Sequence, residues 1–287
     1  MKLILVVVVL SVLCVLGNAA SEKDEKFLAW FKKNGGIANG VGVRTFKSMG
    51  RGVSAELKIE SDQEVLRIPS KLILCVKSIL ASDDEMHTNI AKALKNQDEN
   101  TVISVLLLEK ARGKSSFFAD YLNVLPEFIP NLSYYSPETL KQLQSPSLEQ
   151  DVTSNNKKVK NDYKKFVKAM KKDDLDKNWP EQALPSFQDW KWAAAIIDSR
   201  GLRFRSKVHL APFSDMFNYG AHKTLREDTQ GDFFLKHHVL DEKMDALRVY
   251  SDRDQPAGTQ LLEDYGDNKD RIYLQYVGGG GDFIRYG

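Results

Sequence analysis

The chain has 287 residues, of which 42% are hydrophobic and 28% charged, so it is long enough and apolar enough to form a sizeable core. Its 41 Lys and Arg residues against 39 Asp and Glu give a formal net charge of +2, which gives no sign of a nucleic-acid or anionic-membrane partner. With only two cysteines, Cys14 and Cys75, the chain cannot build a four-cysteine zinc site.

Residues 1–20 are predicted to be a secretory signal peptide. Met1-Lys2 is followed by an apolar run to Leu16 and by small residues, after which Ser21 begins a polar stretch. The run is short for a membrane span, so we expect cleavage, with an uncleaved anchor as the alternative. The expected location is the secretory pathway or the exterior, and a secondary plastid reached through the endomembrane route is the second choice. After cleavage neither an internal disulfide nor membrane association is expected.

Residues 21–78 are predicted to form a short helix followed by strands. The segment from Phe27 to Lys33 has a helical pattern that ends at Gly35-Gly36. From Val41 to about Val76 the pattern is extended, and Gly50-Arg51-Gly52 is predicted to be a turn between two strands.

Residues 79–190 are predicted to be mostly helical. The apolar stretch from Val102 to Leu108 indicates a buried helix. Asn100-Thr101 is its expected N-terminal cap, and Gly113 its expected end.

A second helix of this region is expected to have one apolar face and one basic flank. The apolar positions repeat with helical spacing at Val159, Tyr163, Phe166, Val167 and Met170. The basic flank consists of Lys157, Lys158, Lys160, Lys164, Lys165, Lys168, Lys171 and Lys172. A solvated flank is the simpler interpretation, and a docking surface for an acidic partner is the alternative.

Residues 191–277 return to strands after a helix from Trp190 to Ser199. Strands are predicted at 233–240, 246–250 and 260–263. Residues 278–287 form a Gly-rich tail.

Sequence motifs for a metal or a nucleophile are missing. Neighbouring residues of a strand point to opposite faces, so His237-His238 cannot easily share an ion, and no metal is expected. Ser214 and Ser251 lack the glycine frame of a nucleophile elbow.

Two polar strings remain, Pro212 to Tyr219 and Gly258 to Gly266. In the first, Asp215 and Asn218 lie among apolar and aromatic residues, where they need hydrogen-bond partners. The string is therefore either a turn that caps itself or a polar pocket for a ligand.

In their order along the chain, these segments resemble the motifs of SET-domain methyltransferases, in the branch with a helical insert typified by the Rubisco large-subunit and actin-histidine methyltransferases. Gly50-Arg51-Gly52 resembles the Gly-Arg-Gly turn of the family, and Trp192 to Arg200 resembles the helix with its cofactor-contacting arginine. The first polar string matches the Pro, Asp and Asn pattern. The second matches the strand that leads to the catalytic Tyr-Gly, here Tyr265-Gly266.

The resemblance implies an α+β fold, a SET domain of small β-sheets with a threaded C-terminal segment and a large helical insertion. Such threading is an exception to the usual rules of chain connection. It would bring Asn218 next to Tyr265.

The implied activity is methyl transfer from S-adenosylmethionine to a protein lysine, or less often to a histidine. Tyr265 is the implied catalytic hydroxyl. The implied cofactor-binding residues are Arg51, Gly52, Arg200, Asp215, Asn218, Tyr219 and Tyr276. For Arg200, a cation that stabilises the end of a helix is the structural alternative.

Two departures from the family pattern support an alternative function. Tyr219 stands where the family has histidine, and the chain stops at Gly287, before the family's C-terminal helical domain. The alternative is a catalytically inactive SET-like binding module of the secretory pathway. The substrate protein, the choice between lysine and histidine and the degree of methylation stay open.

Overall fold

The computed structural model describes residues 20–47, 49–129, 134–142, 144–220 and 238–263. Contacts between residues divide the chain into two units. The described residues within Met1–Leu72 and Pro212–Gly266 form the sheet unit, and those within Ile73–Ala211 form the helical unit. The predicted insert, residues 79–190, lies wholly inside the helical unit.

Several sequence predictions fall outside the described residues. They include the signal segment, His237, Tyr265 and Tyr276. Within the described part of the chain, no helix is both long and apolar enough to cross a membrane.

The sheet unit is built from one helix and eight short strands among its described residues. Before the helical unit come α1 (Glu22–Lys33), β1 (Ile37–Ala38), β2 (Val41–Phe46), β3 (Gly50–Ala55) and β4 (Glu64–Pro69). After it come β7 (Asn218–Tyr219), β8 (His238–Asp241), β9 (Ala246–Tyr250) and β10 (Gln260–Glu263).

These strands form two four-stranded sheets with the orders β1-β4-β9-β8 and β2-β3-β10-β7. In the second sheet β2 and β3 form a hairpin, and β10 pairs antiparallel with β3. On its other side β10 pairs in parallel with β7. Strands from both ends of the unit's sequence therefore meet at β10.

The helical unit contains seven α-helices and one two-stranded sheet among its described residues. The first helices are α2 (Val76–Leu80), α3 (Glu85–Ala93), α4 (Asp98–Arg112) and α5 (Ala119–Leu122). They are followed by α6 (Pro137–Gln142), the long α7 (Pro146–Lys172) and α8 (Phe187–Arg200). The small sheet pairs β5 (Leu202–Phe204) with β6 (Lys207–His209).

Helix α1 confirms the predicted helix, although it begins five positions earlier, at Glu22. Ser21 caps it, because its hydroxyl accepts from the backbone of Asp24 while the Asp24 carboxylate accepts from the backbone of Ser21. The helix ends as expected, since Gly35 has a φ of +92°, a conformation that favours glycine.

Two local predictions are wrong. Gly50-Arg51-Gly52 is not a turn but the first half of β3, with Phe46 directly opposite Gly50 in the hairpin. The second error concerns the N-terminus of α4.

Asn100 and Thr101 do not cap α4; they are buried inside it. The helix begins at Asp98 because tertiary contacts extend it: the Asp98 carboxylate accepts from the Val208 backbone, and Glu99 contacts Arg203. The predicted end at Gly113 is confirmed.

A small polar cavity of about 20 Å³ lies among α4, α7 and α8. Three carboxylates line it, from Glu99, Asp162 and Asp198, and Lys158 lies 3.0 Å from Glu99 and 3.5 Å from Asp162. Burial and the neighbouring Glu99 raise the pKa of Asp198 to about 7, although Lys158 and Arg203 act in the opposite direction. Asp198 therefore takes up a proton on folding near neutral pH.

We expect Asp198→Asn to stabilise the protein above pH 7 and to leave it nearly unchanged near pH 4. The folded pKa is raised, so the stability that Asp198 contributes is present below about pH 4 and is lost as the pH rises through about 7. The gain at pH 8 should be about 1–3 kcal/mol. Urea unfolding from pH 4 to pH 8 measures it, with Asp83→Asn at an exposed site of the same unit as control. An equal gain at both pH values would contradict this account.

Candidate functional site

Strand β10 brings the two polar strings of the sequence together with β3. Gln260 and Leu261 lie opposite Ser54 and Val53, and Leu262 and Glu263 lie opposite Asn218 and Tyr219. Because β10 is paired on both edges, the side chains of three separate segments lie on one small sheet.

The side chains of Asn218 and Gln260 converge on Gly52, which has no side chain of its own. A Cβ atom at this position would lie 2.6 Å from Asn218 Nδ2 and 2.7 Å from Gln260 Nε2. Real Cβ atoms do not approach so closely, so a side chain here would displace both amides. Asn218 Nδ2 donates to the Arg51 carbonyl oxygen at 3.1 Å, which fixes that amide against β3.

The Gln260 amide is the unused donor of this cluster. Its Nε2 is buried and has no hydrogen-bond partner among the residues the structure describes. A buried donor without an acceptor costs about 1–3 kcal/mol, so the position favours a ligand that brings one.

The Arg51 side chain is directed to α1 instead. Its Nη1 lies 3.3 Å from Oδ1 of the buried Asp24, the same carboxylate that caps the helix at Ser21. The Arg51 backbone therefore contacts Asn218, while its guanidinium links β3 to the start of α1.

The backbone before the first polar string is strained at Phe213, whose φ is +77°. For a bulky residue this conformation costs on the order of 1–3 kcal/mol and persists only where the surroundings hold it. Its ring is fully buried and packs edge-on against Phe27 and Phe31, at centroid distances of 5.9 and 5.3 Å. The aromatic contact with α1 thus positions the chain directly before residues 214–219.

Buried polar side chains also connect the two strings. Ser214, in a short 3₁₀ turn, has its Oγ 2.7 Å from His238 Nε2, and His238 Nδ1 lies 3.4 Å from Glu263 Oε1. A carboxylate only accepts, so this arrangement favours a proton on Nδ1 and leaves Nε2 to accept from the serine hydroxyl. Ser214 and His238 are 1% and 6% exposed, so the hydrogen bond between them holds the 3₁₀ turn against β8.

The predicted site residues fall into three groups. Arg51, Gly52, Asn218 and Tyr219 lie together on the β3-β10-β7 part of the sheet, and Asp215 is buried in the 3₁₀ turn just before β7. Arg200 lies in the helical unit, in the last turn of α8.

Tyr265 and Tyr276 form the third group, outside the described residues. The last described residue of β10, Glu263, is two positions before Tyr265 and pairs with Tyr219. The described chain, up to Glu263, therefore runs alongside Asn218 and Tyr219.

One group of described residues has the atom types of a metal site. Ligand atoms of Asp84, His87 and Glu109 lie within 4.8 Å of one another. The Arg112 guanidinium contacts Asp84 at 2.5 Å and Glu109 at 2.6 Å, and thereby supplies the positive charge that an ion would bring. The group is an ion-pair network of the helical unit, and the expected absence of a metal stays a prediction.

No protein-family model matches the chain. Curated relatives do match it. SET DOMAIN GROUP 40 of Arabidopsis thaliana is 27% identical over 250 residues, which cover 80% of this chain and 50% of that protein. The actin-histidine N-methyltransferase of Canis lupus familiaris is 24% identical over 257 residues, which cover 88% of this chain and 42% of that protein. The chain spans about half the length of the curated relatives it matches.

Solved structures match the chain over most of its length. Rubisco LSMT bound to AdoMet superposes with a TM-score of 0.72 at 22% identity, covering 90% of this chain and 56% of that one. The SET domain of LSMT bound to lysine and AdoHcy superposes with a TM-score of 0.74 at 21% identity, covering 91% of this chain and 57% of that one. The fold is that of a SET domain, and the predicted resemblance to SET-domain methyltransferases of this branch is confirmed.

Four residues of this arrangement were not among the predicted site residues, namely Asp24, Gln260, His238 and Glu263. Gln260 and Glu263 were within the second string, and their polar side chains in an otherwise apolar strand were the available signal. The sequence shows His238 only as one half of a His-His pair, and nothing in it connects this residue to Ser214.

We expect His238→Ala to lower the free energy of unfolding by about 2–4 kcal/mol, because the buried Ser214 hydroxyl and the partly exposed Glu263 carboxylate both lose the imidazole. Urea denaturation at pH 7 measures the loss. Val239→Ala, at the exposed next position of the same strand, is the control and should cost below about 1 kcal/mol. Equal stability of the two variants would show that His238 does not connect the two strings.

Proposed function

We propose that the chain is an S-adenosylmethionine-dependent protein methyltransferase that methylates a lysine of a protein partner. One observation carries the proposal: in a SET fold, β10 places the Arg51 carbonyl, Gly52, Asn218 and Gln260 on one surface, with a buried amide left to donate. The curated relatives include a methyltransferase, and the solved neighbours bind AdoMet or AdoHcy.

The described residues fit this cofactor. Gly52 keeps the surface free of a side chain, and Gln260 Nε2 offers a donor to an acceptor of the adenosine or methionine part. Asn218 holds its amide against β3 and so presents its carbonyl oxygen as an acceptor. S-adenosylmethionine, when bound, supplies an electrophilic methyl group, so the protein has mainly to position and desolvate the reactants.

The remaining predicted residues have proposed roles. Arg200 would pair with the cofactor carboxylate, and Asp215, Tyr219 and Tyr276 would complete the cofactor site. For Arg51 the contact would be through its backbone, because its guanidinium pairs with Asp24.

Tyr265 is the proposed catalytic residue, whose hydroxyl would orient the acceptor amine. A lysine must be neutral to attack, against an ordinary pKa of about 10.4. An apolar channel would disfavour its charged form and lower that pKa.

The proposed partner is a protein with an accessible lysine, and histidine is the other acceptor to test. We also propose entry into the secretory pathway, on the strength of the pattern in residues 1–20. No observation on the described residues favours the inactive binding module.

We expect Gly52→Ala to weaken the binding of S-adenosylmethionine at least about tenfold, because the new methyl group displaces the Asn218 and Gln260 amides. Titration calorimetry measures the affinity. Gly42→Ala is the matched control, since its Cβ would press on Glu56 in the same hairpin, away from these amides. Equal affinities of the two variants would rule out a cofactor site at Gly52.

We expect Tyr265→Phe to reduce methyl transfer at least about 100-fold while the cofactor affinity stays within about twofold, because the hydroxyl acts on the acceptor and not on cofactor binding. The assay follows labelled methyl groups into cellular proteins and identifies the modified residue by mass spectrometry. Asn218→Ala should lose cofactor binding itself. Transfer that survives Tyr265→Phe, or folded protein that binds no cofactor, would contradict the proposed function.

A further inference from the structure

The outer face of α7 carries a straight row of lysines. Lys157, Lys160, Lys164, Lys168 and Lys171 follow one another at intervals of three or four residues, so they lie on one side of the helix. All five are exposed. At 1.5 Å per residue the row is about 21 Å long. We call it the lysine row.

The lysine row has no acidic counterpart within the described part of the chain. None of its five ammonium groups forms an ion pair there, and Asp162, the one acid between residues 153 and 172, is buried. Of the three other lysines in this part of α7, two do form ion pairs: Lys165 lies 2.9 Å from Asp162, and Lys158 pairs with both Asp162 and Glu99. Lys158 and Lys165 therefore differ from the five lysines of the row, which form no such pairs among the described residues.

Ion pairing within the described residues does not explain the row. Like charges three or four residues apart repel one another and destabilise a helix. The buried contacts of α7 come from its opposite side, through residues such as Val152, Phe166 and Met170. The whole chain has a net charge of only +2, so the row is a local concentration of charge.

We propose that the lysine row docks an acidic helix of a protein partner. Carboxylates repeated every three or four residues on such a helix would match the row in spacing and in charge. The exposed positions from 153 to 172 include no arginine and no aromatic residue, which nucleic-acid sites use for base contacts and stacking. The apolar side of α7 is packed inside the unit, so it cannot enter a membrane.

The test uses the whole protein and two labelled 21-residue peptides of equal charge. One carries Glu at the intervals of the row on an alanine-rich helix, and the other has the same residues in scrambled order. Fluorescence anisotropy should give at least about fivefold tighter binding for the ordered peptide, and the affinity should fall with added salt.

A variant with Lys157, Lys160, Lys164 and Lys168 changed to Gln should bind the ordered peptide at least about tenfold more weakly. The matched control changes Lys92, Lys95, Lys114 and Lys141, which are exposed elsewhere in the helical unit, and should stay within about twofold. Thermal melting verifies that both variants fold. Equal binding of the two peptides, an equal loss in the control, or tighter binding of a DNA duplex than of the ordered peptide would overturn the proposal. Cofactor binding is measured alongside, so failure here leaves the methyltransferase proposal separately testable.

Discussion

The insertion of β10 between β3 and β7 is the constraint on which the candidate site depends. Its antiparallel pairing with β3 sets Gln260 against Ser54, and its parallel pairing with β7 sets Leu262 against Asn218. A shift of one residue in either register would turn every side chain of β10 to the other face. The two amides converge on the backbone of Gly52 because both registers hold at once.

Other elements of the sheet unit hold the residues around β10 in place. Helix α1 holds Arg51 through Asp24 and fixes the strained Phe213 through Phe27 and Phe31. His238 lies between Ser214 and Glu263, and so couples the turn before β7 to the end of β10. The strain at Phe213 and the unmet donor at Gln260 both lower the stability of the sheet unit. Such costs concentrate at functional sites, where a ligand offsets part of them.

The strands at 246–250 and 260–263 and the helix end at Gly35 could be predicted from the sequence, because local alternation and glycine conformation determine them. The start of α4 could not, since Asp98 and Glu99 are held by Val208 and Arg203 from distant parts of the chain. Within the site, Asn218 and Gly52 could be predicted from the motifs that contain them. The partnership of His238 with Ser214 and Glu263 exists only after folding, so no local pattern could reveal it.

Hydrogen exchange with and without S-adenosylhomocysteine can locate the proposed cofactor site, because it reports where the cofactor product is held without requiring turnover. We expect the ligand to slow exchange in the peptides covering β3, residues 214–219 and β10, while the outer turns of α7 exchange as before. Binding that leaves those three segments unprotected would contradict this expectation, since the ligand would then lie away from the surface that β10 assembles.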